Sequence, residues 1–405
     1  MTPSERSLEL TIEQAIERLC DGLAQIEGES AMPLGQAPGT VLSCNLIAAI
    51  DLPAFDNSAM DGYALRHTDL AAGTPLREVG RSYAGHRHDA AVAPGTCVRI
   101  MTGAPMPPGA DTVVVLEDVE VRDGAVTVGT APPAGANIRR RGEHIARGDV
   151  VLRAGKLLTG ADVALAASIG IDTLPVRRRL RVGVLSTGDE LVDPPLPLTA
   201  AGSYDANRPL LSAACSRLGF HALDLGISKD CGTDFSAALD RAFEARFDAL
   251  VISGGAAQGD ADVVRQAGGV QFAPLNLRPG RGVAFARLQR REQRLLLLGL
   301  PGNVVAAYVM FQLVARPVLI HLAGARARPL PRLRAPLAAP TTVRGGRIDY
   351  RRGCIGPDGR VELLKDQGSA MLRTVVDADC LVELGPAERY AAGDLVRVLP
   401  LGLFD

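Results

Sequence analysis

The chain has 405 residues, with 44 Lys+Arg against 45 Asp+Glu and a formal net charge of -1. That balance excludes the global basic field that drives non-specific nucleic-acid binding. The 44 Gly and 27 Pro follow no strict period, so they mark turns and loop-built sites rather than collagen-like chain.

At roughly 100–200 residues per domain, the length predicts a multidomain protein. The first residues, Met1-Thr2-Pro3-Ser4-Glu5-Arg6, lack a basic region leading into an apolar core, and no secretory leader is expected. The 7 cysteines are scattered and form no C-x-x-C, which predicts reduced thiols in a cytoplasmic protein.

Leu8, Ile12, Ala15, Ile16 and Leu19 recur at helical spacing, with Thr11 as a candidate cap. Residues 30–150 alternate short β-rich runs, such as Thr112 to Leu116, with Gly/Pro turns, and predict a mostly β domain. Val163 to Ile169 reads as a helix ending at Gly170. From residue 180 the pattern becomes strand, polar loop, helix, with strands at Leu180–Leu185, Ala222–Leu225, Ala249–Ile252 and Leu295–Leu298. Repeated βα units predict a parallel sheet covered on both faces. Ligands of such sheets bind at the carboxyl ends of the strands. The apolar stretch Val304 to Leu322 contains Gln312, Arg316, Pro317 and His321 and reads as a buried core helix, not a membrane span. A Pro/Arg-rich connector at 325–340 leads into short alternating strands, consistent with a small β-barrel or sandwich.

No phosphate-binding P-loop, nucleophile elbow or H-E-x-x-H is present. The loop Asp56-Asn57-Ser58-Ala59-Met60-Asp61-Gly62-Tyr63 fits either a self-capped turn or a presented carboxylate. Ser186-Thr187-Gly188-Asp189-Glu190 ends a strand, where hydroxyls and amides can hold an oxyanion and acids a divalent cation. Asp189 fits equally well as a helix N-cap. Ser253-Gly254-Gly255 permits close backbone approach to a ligand, and Asp260 and Asp262 follow it as candidate Mg²⁺ ligands. Arg139-Arg140-Arg141 fits either a solvated run or a forked grip on phosphate, and Arg278-Pro279-Gly280-Arg281 puts two cations on a rigid turn. Residue chemistry alone reaches a phosphate-ester or oxyanion site on an α/β domain.

Five ordered motifs go further. They are Asp56 to Ala64, Arg99 to Pro105, Asn137 to Glu143, Ser186 to Leu191 and Leu300-Pro301-Gly302-Asn303. Across essentially its whole length the chain resembles the molybdopterin molybdenumtransferase family, to which the gephyrin E domain belongs. The resemblance implies a multidomain α/β plus β fold with a mostly parallel sheet. Residues 8–45 and 148–180 would form an elongated domain, 46–147 an inserted β-rich domain, 181–326 an α/β molybdopterin-binding domain, and 330–405 a C-terminal β-barrel. It implies a homodimer whose cleft lies between the α/β domain and the partner's inserted domain. The implied reaction takes adenylylated molybdopterin and molybdate, releases AMP and inserts molybdenum, with Mg²⁺ assisting. A preceding adenylyltransferase and recipient molybdoenzymes would be its protein partners; no nucleic acid or membrane is implied.

Carried over by motif, Asp61, Glu190, Thr102, Asp230 and Asp262 would be catalytic, with Glu190 and Asp262 on the metal. Ser186, Thr187, Gly188, Ser253, Gly254, Gly255, Arg139, Arg278, Arg281, Pro301, Asn303, Arg352 and Ser369 would bind substrate. Departures cluster at the same motifs. His144 replaces an acid, Pro274 and the arginines Arg278 and Arg281 stand where the family has lysines, and Val304 replaces a proline. They define an alternative: a catalytically altered paralogue that binds molybdopterin or the finished cofactor as a carrier.

Overall fold

A computed structural model describes residues 9–254, 263–326 and 331–401. The first helix, Ile12–Cys20, begins at Thr11, whose hydroxyl accepts from the Gln14 amide while Gln14 reaches back to the Thr11 amide. Its buried face is Ile12, Ala15 and Leu19, at the helical spacing seen in the sequence. These residues join the buried cluster of the α/β sheet and of the helix ending at Leu322. By packing, residues 12–20 thus belong with the α/β core. The elongated module has its own core, including Leu42, Leu158, Leu174 and Val176. Its ladders pair Glu29–Pro33 with Thr173–Arg177, and Leu46–Ile47 with Val150–Leu152.

Between those paired strands lies a six-stranded sheet in the order Thr112–Val115, Gly62–Leu65, Thr96–Ile100, Leu76–Ser82, Ala125–Val128, Val119–Arg122. The α/β sheet also has six strands, ordered His221–Ser228, Arg181–Thr187, Ala249–Ser253, Gln293–Leu300, Gly282–Arg290, Gln271–Pro274. The first four are mutually parallel, and their apolar runs are buried because helices cover the sheet. Gly282–Arg290 runs antiparallel to both of its neighbours, so the sheet is mixed although the other five strands share one direction. The cause is local: Arg290 pairs with Gln293, and Arg291 at φ 53 turns the chain straight back.

Val304–Leu322 is one continuous rod, α-helical at both ends and π-helical over Phe311–Ala315. It is apolar and long enough to cross a membrane, but 78% of its apolar window is buried inside the protein. The core-helix reading of the sequence fits that placement. The C-terminal residues form a further six-stranded sheet. One of its strands, Leu277–Arg278, comes from the α/β segment and pairs with Ile348–Asp349. The α/β and C-terminal modules therefore share a strand, and a cut near residue 330 does not separate them.

Gly39 and Gly219 meet where the elongated module touches the α/β domain; both have positive φ, and a Cβ on Gly219 would run into the Gly39 carbonyl oxygen. Gly219→Ala is expected to cost about 1–3 kcal/mol through this overpacking. Thermal unfolding should show a lowered Tm, and an unchanged Tm would disprove the close approach.

Candidate active site

The parallel strands deliver Ser186, Ser253 and Leu300 to one line at their carboxyl ends. Ser186, Thr187 and Ser253 are all buried there. Gly254 follows at φ +89; a Cβ on it would lie 2.5 Å from the Thr187 carbonyl oxygen and 2.6 Å from Thr187 Oγ1. Only glycine fits. Its amide donates to the Leu300 carbonyl at 3.2 Å, closing one strand end on the next.

The turn before helix Asn207–Arg217 ties these ends together. Asp205 Oδ1 accepts from Ser186 Oγ at 3.0 Å and from the amides of Asn207 and Arg208 at 3.0 and 3.2 Å. Asn207 Nδ2 donates to Ser253 Oγ at 2.5 Å and to the Gly302 carbonyl at 2.7 Å. The carbonyl can only accept, which fixes the amide orientation. Asp205, Asn207 and Arg208 were not singled out from the sequence. Their signal was present as polar residues opening a predicted helix, but it reads as ordinary capping.

Glu190 is exposed, and its carboxylate lies back over Gly188. Asp189 caps no helix, because the chain continues into the short strand Leu191–Val192. Instead Asp189 Oδ1 accepts from the Asp230 amide at 3.2 Å, and its carbonyl accepts from Lys229 Nζ at 3.1 Å. Asp230 is exposed; the desolvation it does undergo, with the nearby carboxylates of Asp189 and Glu190, outweighs the hydrogen bond from the Asp189 backbone and the Lys229 charge and raises its pKa above the ordinary value. Gly255, Asp260 and Asp262 lie outside the described residues. Among the described residues, no group of three His, Cys, Asp or Glu side chains is placed to hold a metal ion.

The inserted module carries the second set. Asp61 Oδ1 accepts from both the amide and the hydroxyl of Thr102, at 2.7 and 2.8 Å. The backbone bond is the main cause holding the Asp61 carboxyl below its usual range, with the hydroxyl bond next. The Thr102 hydroxyl thus donates to Asp61 and turns its lone pairs outward. Of the arginine triplet, Arg140 binds Asp56 and Arg141 binds Asp51, at 2.8 and 2.6 Å. Arg139 is exposed, and its guanidinium alone in the triplet has no partner among the described residues. The loop from Asp56 is therefore both things the sequence allowed: Asp56 pins the triplet while Asp61 is presented with Thr102.

Arg352 corrects an expectation. It is 1% exposed, and its guanidinium donates to Thr374 Oγ1 at 3.0 Å and to the carbonyls of Asp366 and Gly368 at 3.2 and 3.0 Å. Such a group cannot reach a ligand; it shapes the turn that carries Ser369. The Ser369 carbonyl in turn accepts from the Val305 amide at 3.1 Å, just past Pro301 and the exposed Asn303. Arg278 sits in the shared strand, with Nη1 on the Arg344 carbonyl at 3.1 Å, rather than on a free turn. Arg281 is exposed.

No hydrogen bond or ion pair among the described residues joins 49–147 to 181–401. The fold is that of an α/β protein whose strand-end loops carry hydroxyls and flanking acids, while Asp61, Thr102 and Arg139 stand apart on a separate sheet. Family profiles match in three segments: MoeA N-terminal region (domain I and II) over 10–170, probable molybdopterin binding domain over 183–321, and MoeA C-terminal region (domain IV) over 334–401. A Haemophilus influenzae protein named molybdopterin molybdenumtransferase is 35% identical over 402 residues, 96% of this chain and 98% of its own length. A Synechococcus elongatus protein of the same name is 34% identical, covering 97% of this chain and all of its own. A molybdopterin biosynthesis MoeA protein from Pyrococcus horikoshii shares the fold, with a TM-score of 0.81 at 24% identity over 97% of this chain and 100% of that one. The chain belongs to the molybdopterin molybdenumtransferase family.

Two outcomes follow from the site's electrostatics and burial. A carboxyl whose folded pKa is raised penalises the fold as pH rises above its unfolded value, about 3.9 for Asp. Asp230→Asn should therefore unfold at higher temperature than the wild type at pH 7, with the two Tm values converging below pH about 4. Equal Tm values at neutral pH would contradict the crowding of Asp230. Separately, Thr187 Oγ1 is buried and has no hydrogen-bond partner among the described residues. Removing an unsatisfied buried hydroxyl relieves about 1–3 kcal/mol, so Thr187→Val should raise Tm, and a lowered Tm would show that the hydroxyl has a partner.

Proposed function

We propose that this chain inserts molybdenum into molybdopterin, the transferase step of molybdenum cofactor biosynthesis. The observation that carries the reading is the convergence of Ser186, Thr187, Ser253 and Gly254 at the strand ends beside Glu190 and Asp230. In its finer form, the substrates are adenylylated molybdopterin and molybdate, and AMP leaves. The loops at the carboxyl ends of the parallel strands frame the pyrophosphate. Arg139 supplies a free fork for phosphate charge, and Asp61 orients Thr102. Glu190 and Asp230 face the reacting group as hard oxygen donors. Mg²⁺ belongs to this proposal through Glu190 and Asp262. The described donors alone do not make a three-residue cation site, so no step is routed through the ion.

The same reading takes the inserted module as 46–147 and the C-terminal sheet as a barrel. It places the partner's inserted module over the α/β cleft of a homodimer. The hydrogen bonds of Asp61, Thr102, Arg140 and Arg141, all made within 49–147 among the described residues, support that arrangement. A preceding adenylyltransferase and recipient molybdoenzymes are its proposed protein partners. The seven free cysteines support a cytoplasmic setting. The carrier reading has one observation in its favour: Arg278, which replaces a family lysine, is tethered to Arg344.

Purified protein given adenylylated molybdopterin, molybdate and Mg²⁺ should release AMP. Glu190→Gln and Asp61→Asn should each slow release by roughly 10²–10³, the scale of losing one electrostatic group at a reacting centre. Tight ligand binding with no AMP release by the wild type would leave the carrier reading instead.

A further inference from the structure

Between Gly188 and Asp205 the chain leaves the sheet and returns, carrying Glu190 on its outward limb. The excursion is stitched at its base by a short parallel ladder, Leu191 to Ser203 and Val192 to Tyr204. The Ser203 amide donates to the Glu190 carbonyl at 2.9 Å, and the Asp205 amide to the Val192 carbonyl at 3.1 Å. These bonds hold the two limbs together but do not fix the pair against the sheet.

Lys229 and the Asp230 amide hold the limb at Asp189, next to the sheet, and one side chain holds it farther out, beyond Glu190. Arg208 is 8% exposed and spends its whole fork on three carboxylates. Its Nε donates to Asp205 Oδ2 at 2.9 Å, and Nη1 to both oxygens of Asp224 at 2.6 and 2.7 Å. Nη2 donates to Asp193. Asp224 belongs to the edge strand His221–Ser228, at a register shift against Arg181–Thr187. Asp205 ends the excursion, and Asp193 lies three residues beyond Glu190 on its outward limb. A planar guanidinium spreads rigid donors over three nitrogens toward three partners, whereas an ammonium offers three rotatable donors on a single atom. Burial works against the Arg208 charge, but Asp224 and Asp205 outweigh it and keep the group protonated.

We propose that Arg208 is a positioning residue for the reaction, latching the Glu190 limb to the sheet through Asp193. This rests on the reading of Glu190 as a site acid. The latch is the weak point of the network by design of its exposure: the Asp193 side chain is 44% exposed, while that of Asp205 is 1% exposed. Asp193 can therefore be changed without emptying a core position, which Arg208 and Asp205 do not allow.

The test uses the full chain with Asp193→Asn, Asp193→Glu and Glu190→Gln. Asp193→Asn should lower the kcat of AMP release about 10-fold, since small displacements of a reacting group cost 10–100-fold. KM for adenylylated molybdopterin should stay within about twofold, and Tm should not move, because binding and core are untouched. Asp193→Glu restores a carboxylate to the fork and should recover most of the loss. Hydrogen exchange gives a readout that needs no turnover: in Asp193→Asn, the amides of 189–193 should exchange faster while the strand Arg181–Thr187 stays protected. Unchanged exchange overturns the latch. If Glu190→Gln abolishes release while Asp193→Asn keeps wild-type kcat, the positioning role is wrong and the Glu190 reading stands. If Glu190→Gln is silent while Asp193→Asn speeds exchange, the latch stands and the Glu190 reading falls.

Discussion

The site depends on a single buried carboxylate. Asp205 accepts hydrogen bonds from Ser186 at one strand end, from two amides of the helix that begins at Asn207, and from Arg208. At 4% exposure it would be costly as an isolated charge, and it persists because every oxygen is paired. Its partners then reach outward. Asn207 holds Ser253 and Gly302, and Arg208 holds Asp193 and Asp224. Three strand-end loops and the Glu190 limb thus share one anchor. Ordinary capping chemistry at a helix start has been extended into the frame of a cleft.

The second constraint is backbone proximity. Gly254 and Thr187 approach so closely that no side chain fits between them. This closes adjacent strand ends on one another, with the Gly254 amide donating to the Leu300 carbonyl. The Thr187 hydroxyl beside Gly254 is buried with no hydrogen-bond partner among the described residues, a local cost. Asp230, crowded by Asp189 and Glu190, is a second cost at the same edge. Local cost concentrated at one end of a sheet is what a functional site imposes on an otherwise consistent fold.

The C-terminal module contributes architecture to that end of the sheet. Arg352 is buried in its own domain and sets the Gly368–Ser369 turn, where the Ser369 carbonyl receives the Val305 amide near the start of the long core helix. The shared strand at Leu277–Arg278 fastens the same two modules a second time. Both features explain why Arg278 and Arg352 are less available to a ligand than isolated arginines in a sequence suggest.

Much of this was legible in the residues. The helical spacing from Ile12 to Leu19, the Thr11 cap, the apolar runs ending at Thr187 and Ser253, and the core helix from Val304 all follow from periodicity and short-range chemistry. Ordered motifs sufficed for the family and for candidates such as Asp61, Thr102 and Glu190. Contacts at long separation were decided only in three dimensions. Arg291 reverses the chain and makes the sheet mixed, Leu277–Arg278 crosses into another module, and Arg352 turns inward. Asp205 and Arg208 gain their meaning from Ser186 and Asp224, 19 and 16 residues away. Period and propensity describe what a residue does to its neighbours in sequence. Which distant carboxylate a guanidinium meets is set by how sheets and helices stack, and no local pattern encodes that.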